Sequence, residues 1–207
     1  MPERRSASIA TLPNLLGIGR IAATPLIMGL LLADAPGTDL MAALLFIVAA
    51  LSDILDGWIA RRRDQVSALG VFMDLAADKV LVAGVLIAMV EVGLVPTWIA
   101  ATILIREFVV QAVRQLAAAE DVVISARGLG KAKTLTTLAA LGLLLLASDA
   151  MSGGPIARTS LGPVLAVAGG WMLLIATLLT VVSGLDYLRG AWPILRGAET
   201  EDPAQIT

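Results

Sequence analysis

Asp53, Asp56, Asp74 and Asp78 are the residues around which any chemistry of this chain has to be built. On a helix, residues three or four apart share a face, so Asp53 pairs with Asp56 and Asp74 with Asp78. Brought together, the two pairs would repel strongly unless cations offset them. Two divalent ions about 4 Å apart, bridged by carboxylates, form an arrangement that serves in-line displacement at phosphorus. Gly57 and Gly70 fit that picture, because a residue without a side chain lets a ligand approach the backbone closely. The same carboxylates would also suit a proton or cation path. A single aspartate at a helix end is often just a solvated boundary residue, but two pairs at matched spacing ask for more. The chain contains neither histidine nor cysteine. That removes the usual general base and the usual soft metal ligands, and it leaves oxygen donors suited to magnesium, manganese or calcium.

The elements that must position these residues are apolar. Hydrophobic residues make up 58 % of the 207-residue chain, and its mean hydropathy is +0.89. The excess is gathered into runs long enough to cross a bilayer, which predicts an all-α integral membrane protein. Six transmembrane helices are expected, over 13–32, 40–60, 70–92, 97–116, 131–146 and 164–185. Proline- and glycine-rich turns separate them at 34–39, 91–96 and 149–163, a surface loop begins at Arg61, and 117–130 is a polar connection. The chain thus divides into a surface segment, 1–12, a membrane catalytic domain, 13–188, and a polar C-terminal tail, 189–207. With six spans both termini share a side, and that side collects Arg4, Arg5, Arg61, Arg62, Arg63, Arg127, Lys131, Lys133, Arg189 and Arg196, against Arg158 on the other. The positive-inside rule then makes both termini and the carboxylate-bearing helix ends cytoplasmic. The net charge of −2 gives no reason to expect a nucleic-acid partner.

One motif joins these observations. Asp53-x-x-Asp56-Gly57-x-x-Ala60-Arg61, eight residues, Gly70, three residues, Asp74, three residues and Asp78 resembles the full signature of the CDP-alcohol phosphotransferase family, with every position filled. The resemblance covers most of the chain and implies that family's six-helix membrane bundle. It further implies a reaction in which a CDP-linked lipid gives its phosphatidyl group to an alcohol and releases CMP. Asp53, Asp56, Asp74 and Asp78 would bind two divalent metal ions, Mg2+ or alternatively Mn2+. Asp78 would also be the general base that takes the proton of the attacking hydroxyl. Gly57, Ala60, Arg61 and Gly70 would lie against the CDP moiety, and Asn14 of the first helix with them. A homodimer in a bacterial-type cytoplasmic membrane is also implied.

The acceptor must be read elsewhere. Arg106, Glu107 and Arg114 fall on the fourth span, where two arginines facing lipid would be costly, and Glu107 is placed to pair with one of them. Lys131, Lys133 and Thr134 open the fifth span. Interfacial snorkelling accounts for Arg127 and is open for Lys133. Cations beside a phosphoryl-transfer site argue for an acceptor that itself carries phosphate. The segments Arg106-Glu107-Phe108 to Arg114 and Gly130-Lys131-Ala132-Lys133-Thr134 are similar to the phosphatidylglycerophosphate-forming branch of that family, as is Leu12-Pro13-Asn14-Leu15 with Arg20 and Pro25. Gly17 departs from it, standing where many relatives have threonine. This implies transfer from CDP-diacylglycerol to sn-glycerol 3-phosphate, with Arg20, Arg106, Arg114, Lys131 and Lys133 holding the acceptor phosphate. Phosphatidylinositol phosphate synthesis and CDP-dependent cardiolipin synthesis are the alternatives within the family, and a cation or proton transporter the alternative outside it.

Overall fold

Among the described residues the chain folds as six long α-helices. The structure, a computed structural model, describes the backbone of residues 12–33, 35–63, 68–120 and 129–197. Side chains are described over the same ranges apart from 12–14, 53–63, 68, 69, 71, 74, 129, 131 and 193–197. The helices are α1 (Leu12–Leu32), α2 (Thr38–Arg63), α3 (Ala68–Glu91), α4 (Thr97–Ala119), α5 (Leu129–Met151) and α6 (Gly162–Gly197), with one 3-10 turn at Pro155–Arg158. Of these, α1, α5 and α6 are long and apolar enough to cross a membrane by length and composition. The described part of α2 adds a shorter apolar stretch, Thr38–Ser52.

Packing closes the helices into a ring. α1 lies against both α2 and α3, α2 against α5, α5 against α6 along most of its length, α6 against α4, and α4 more lightly against α3. Both carboxylate-bearing helices, α2 and α3, pack against α1. A small residue makes the α1–α3 approach possible. A Cβ on Gly84 would come within 2.4 Å of Thr24 Cγ2, and Thr24 is fixed because its hydroxyl donates to the Arg20 carbonyl (3.0 Å).

The apolar core occupies one end of this ring. Ile27 and Leu31 of α1, Phe46 of α2, Leu86 and Met89 of α3, Ile99 and Ile103 of α4, and Leu141 and Leu145 of α5 pack there. Outward-facing Trp98, Ile105, Phe108, Trp171, Leu178 and Val182 are exposed, so the bundle is oily on its outside as well as its inside. Such continuous exposed apolar surface marks a protein whose solvent is lipid.

Turn chemistry agrees with the sequence in some places and departs from it in others. Gly93 has φ +74° and ends α3 in a Schellman motif. In it the Gly93 N–H donates to the Val90 carbonyl (3.1 Å) and the Leu94 N–H to the Met89 carbonyl (2.8 Å). Three boundaries differ from expectation. Arg61 to Arg63 belong to α2 and not to a loop. α5 continues past the expected loop start at Asp149 to Met151. Asp149 is fully buried, and its carboxylate accepts the Ile156 N–H (2.8 Å), so it braces the turn that follows instead of sitting in solvent. Finally, α6 runs through the expected tail to Gly197. The reason lies on one of its faces, where Thr180, Ser183, Tyr187 and Ala191 recur every three or four residues and are all buried.

The Asp149 brace leaves no room opposite it. A Cβ on Gly154 would come within 1.9 Å of Asp149 Oδ1 and 2.3 Å of its Cγ. Gly154→Ala is expected to push the carboxylate off the Ile156 amide. The expected cost is about 2–4 kcal/mol from overpacking and an unsatisfied buried polar group, read as a lowered unfolding midpoint in detergent.

Candidate active site

The charged residues gather at the end of the ring away from the apolar core. α2 carries Asp53 and Asp56 in its last turns, and α3 carries Asp74 and Asp78 in its first half. Helix geometry puts the members of each pair on one face of their helix. Only residues 64–67 separate the two helices, so Arg63 and Ala68 lie within about 18 Å of each other by chain length alone. The side chains of Asp53, Asp56, Asp74, Gly57, Ala60, Arg61, Asn14 and Lys131 lie outside the described residues. Gly70 and Asp78 are described, and the Asp78 side chain is about one-third exposed.

Asp78 lines a cavity of about 30 Å³ between α3, α4 and α5. Lys79, Glu107, Lys133, Thr134 and Thr137 supply its other polar groups, and Val82, Ile103, Leu104 and Phe108 its apolar wall. Glu107 sits at the centre of the polar groups and is largely buried. One of its oxygens, Oε2, accepts from Lys79 Nζ. The other, Oε1, accepts from Lys133 Nζ and from Arg106 Nη1, the latter at 2.9 Å. Lys79 Nζ also lies 3.6 Å from Asp78 Oδ2. The second Arg106 nitrogen, Nη2, donates to Ser183 Oγ on α6 (3.1 Å). Four helices thus send side chains to one point.

Several residues that the sequence singled out are placed differently from one another. Arg106 and Lys133 are both in this cluster, and Lys133 is only 5 % exposed, so it does not snorkel to the interface. Arg114 does not line the cavity. It lies over the Tyr187 ring at 5.9 Å from the centroid, within cation–π range. Arg20 is buried in α1 at 3 % exposure. The sequence placed Glu107 opposite one arginine, and the structure gives it Arg106 together with two lysines. Lys79, Ser183 and Gly184 were not legible as site residues. The one available hint was Lys79, a cation placed directly after Asp78.

Gly184 explains how Arg106 reaches its place. A Cβ there would come within 2.9 Å of Arg106 Cγ, so the arginine stem crosses α6 over a residue with no side chain.

An all-helical bundle with an oily exterior and carboxylates grouped with cations at one end defines a class of intramembrane site for anionic substrates. The comparisons with known proteins agree. The family model for CDP-alcohol phosphatidyltransferase matches residues 10–182, and the chain belongs to that family of transferases. A Bacillus subtilis protein named CDP-diacylglycerol–glycerol-3-phosphate 3-phosphatidyltransferase is 35 % identical over 199 residues, covering 89 % of this chain and 97 % of its own. A Rickettsia bellii protein of the same name is 35 % identical over 178 residues, covering 86 % and 93 %. A rice protein named cardiolipin synthase (CMP-forming) is 32 % identical over 208 residues, covering 94 % of this chain and 61 % of its own.

The Gly184 crossing can be tested directly. Gly184→Val should displace Arg106 from Glu107 and Ser183 and lower transfer activity by about tenfold or more, roughly the weight of one charge-assisted hydrogen bond. Gly184→Ala should be milder, because the clashing atom belongs to a flexible stem. Both variants should keep their helical circular dichroism.

Proposed function

We propose that the protein transfers the phosphatidyl group of CDP-diacylglycerol to sn-glycerol 3-phosphate, giving phosphatidylglycerophosphate and CMP. The observation that carries this reading is the cluster beside Asp78. Lys79, Arg106 and Lys133 bring three positive charges to one carboxylate, Glu107. Lys79 also pairs with Asp78, so about one positive charge is left over, which an anionic group such as the acceptor's phosphate would match. An acceptor without phosphate would leave this surplus buried and unmatched. The relatives named for glycerol 3-phosphate transfer support the same acceptor. The cardiolipin-forming relative keeps a second family reaction as the nearest alternative.

The donor set fits divalent metal. Asp53, Asp56, Asp74 and Asp78 offer only carboxylate oxygen, the chemistry that Mg2+ or Mn2+ prefers. Bound there, such ions would neutralise the pyrophosphate and stabilise the departing CMP. The chain's own groups do the rest. Asp78 lines the same cavity as the cations, so a hydroxyl on a phosphate-anchored acceptor comes within reach of its carboxylate, which takes the proton. The small cavity is walled by two long lysine stems, whose swing would make room for the acceptor. Gly57, Ala60, Arg61, Gly70 and Asn14 form the CDP-lipid surface, and Arg20, Arg114 and Lys131 add to the positive potential around the acceptor. Val82, Leu104 and Phe108 keep bulk water from the reacting end.

Membrane topology follows from the same chain. In this reading all six helices span the bilayer, both termini and the site are cytoplasmic by the distribution of basic residues, and the homodimer is what the family resemblance implies. A transporter would need polar groups across the whole depth. Among the described residues, the core of Ile27, Phe46, Leu86, Met89, Ile103 and Leu141 lies between the charged end and the buried acids Asp39 and Asp149. Those two are engaged locally, Asp39 by the Ser148 hydroxyl (2.7 Å) and Asp149 by the Ile156 amide.

Purified protein in detergent with Mg2+ is expected to release CMP from CDP-diacylglycerol when glycerol 3-phosphate is added. It should do so poorly with glycerol, inositol phosphate or phosphatidylglycerol, and a chelator should abolish release. Preference for another acceptor would refute the assignment. Asp78→Asn should bind CDP-diacylglycerol within about threefold of the parent and lose at least about a hundredfold in turnover, the usual weight of a general base. Near-normal turnover would reject Asp78 as the base.

A further inference from the structure

Glu107 is given no part in the bond-making and bond-breaking steps of the proposed transfer, yet three cations converge on it. Three observations bear on what it does. Its two oxygens are divided, with Oε2 on Lys79 of α3 and Oε1 on Lys133 of α5 and Arg106 of α4. Its three partners lie near Asp78 in different degrees. Lys79 is 3.6 Å from the Asp78 carboxylate, Lys133 lines the same cavity, and Arg106 is tied to both Glu107 and Ser183. Glu107 also takes only one N–H from each cation, where an ammonium carries three and a guanidinium five.

Three cations gathered from three helices with no anion among them would repel one another and spread. A carboxylate at their centre reverses that. It fixes Lys79 and Lys133 in the cavity wall, with Arg106 behind them on Glu107, before any substrate arrives, while their remaining N–H groups can turn toward a ligand. We propose that Glu107 is a positioning residue for the acceptor. It holds Lys79, Arg106 and Lys133 as a preassembled cradle for the acceptor's phosphate, at the distance from Asp78 that puts the acceptor hydroxyl on the base. Lys79 is thereby assigned as an acceptor contact that links the cradle to the aspartate motif. Ser183 fixes the far edge of the cradle by holding the second nitrogen of Arg106. This inference rests on the acceptor reading given above.

Binding energy placed this way serves orientation, since the phosphate end of the acceptor does not react. Loss of Glu107 should therefore weaken acceptor use while leaving donor use intact. The variants Glu107→Gln, Glu107→Asp and Lys79→Gln would be compared with the parent protein by CMP release, varying glycerol 3-phosphate and CDP-diacylglycerol separately. Glu107→Gln keeps the shape and one acceptor oxygen but removes the charge. It is expected to raise KM for glycerol 3-phosphate by about tenfold or more, with KM for CDP-diacylglycerol within about twofold. Glu107→Asp should recover part of that loss, and Lys79→Gln should show the same split at about three- to tenfold. Selectivity for glycerol 3-phosphate over glycerol should fall in parallel. Equal changes in both KM values, or none in either, would overturn the assignment, and so would Glu107→Asp behaving no better than Glu107→Gln. If Glu107→Gln does not fold, Lys79→Gln alone decides, because it leaves the Glu107 contacts to Lys133 and Arg106 in place. Failure of the acceptor reading shows separately, as a parent protein that does not consume glycerol 3-phosphate at all.

Discussion

Everything at the charged end of this bundle depends on the meeting of Glu107 with Lys79, Arg106 and Lys133. An ion pair in a low-dielectric interior is worth having only when its geometry is good and its remaining hydrogen-bonding groups are satisfied. Here α3, α4 and α5 each contribute a charge, and α6 contributes the Ser183 hydroxyl that holds the far side of Arg106. The helices cannot shift independently without breaking one of these bonds. The cluster is therefore a structural tie as well as a charged surface. It forms the polar counterpart of the apolar core at the other end.

The two ends use different physics to reach the same close packing. At the apolar end, Ile27, Phe46, Leu86, Met89, Ile103, Leu141 and Leu145 fill the interior, and Gly84 lets α3 approach Thr24 of α1. In lipid there is little hydrophobic gain from bringing helices together, so small residues and van der Waals fit carry the association. At the charged end, electrostatic attraction replaces that fit, and Gly184 plays the part of Gly84 by letting the Arg106 stem pass. Such a division suits the chemistry. A phosphoryl-transfer site has to admit a water-soluble acceptor, whereas the apolar end only has to stay closed.

The Asp149 brace shows how polar groups are handled far from the site. Its carboxylate takes the Ile156 amide, its backbone carbonyl takes the Gly154 amide at 2.8 Å, and Gly154 is bare enough to lie against it. Nearby, Ser148 donates to Asp39 and ties α5 to α2. Both acids are spent on local structure.

The sequence by itself determined the family and an all-helical, apolar scaffold. The aspartate spacing needs only helical periodicity to be read, and the apolar runs of α1, α5 and α6 need only the length of a membrane span. Helix ends were legible where glycine and proline mark them, as at Gly93 and Pro96. They were missed where a helix outlasts its apolar run, as α2 does through Arg63 and α6 through Gly197. On α6 the buried face that includes Tyr187 and Ala191 accompanies the extension, and no local pattern shows that burial. Tertiary structure alone decided which cations share a cavity with Asp78. Arg106 and Arg114 look equivalent on one helix, yet Arg106 turns to Glu107 and Ser183 while Arg114 stacks on Tyr187. Lys79 and Lys133 are fifty-four positions apart in the chain (133 − 79) and meet only through Glu107. Contacts between helices depend on the order of packing around the ring, and periodicity within one helix carries no information about that order.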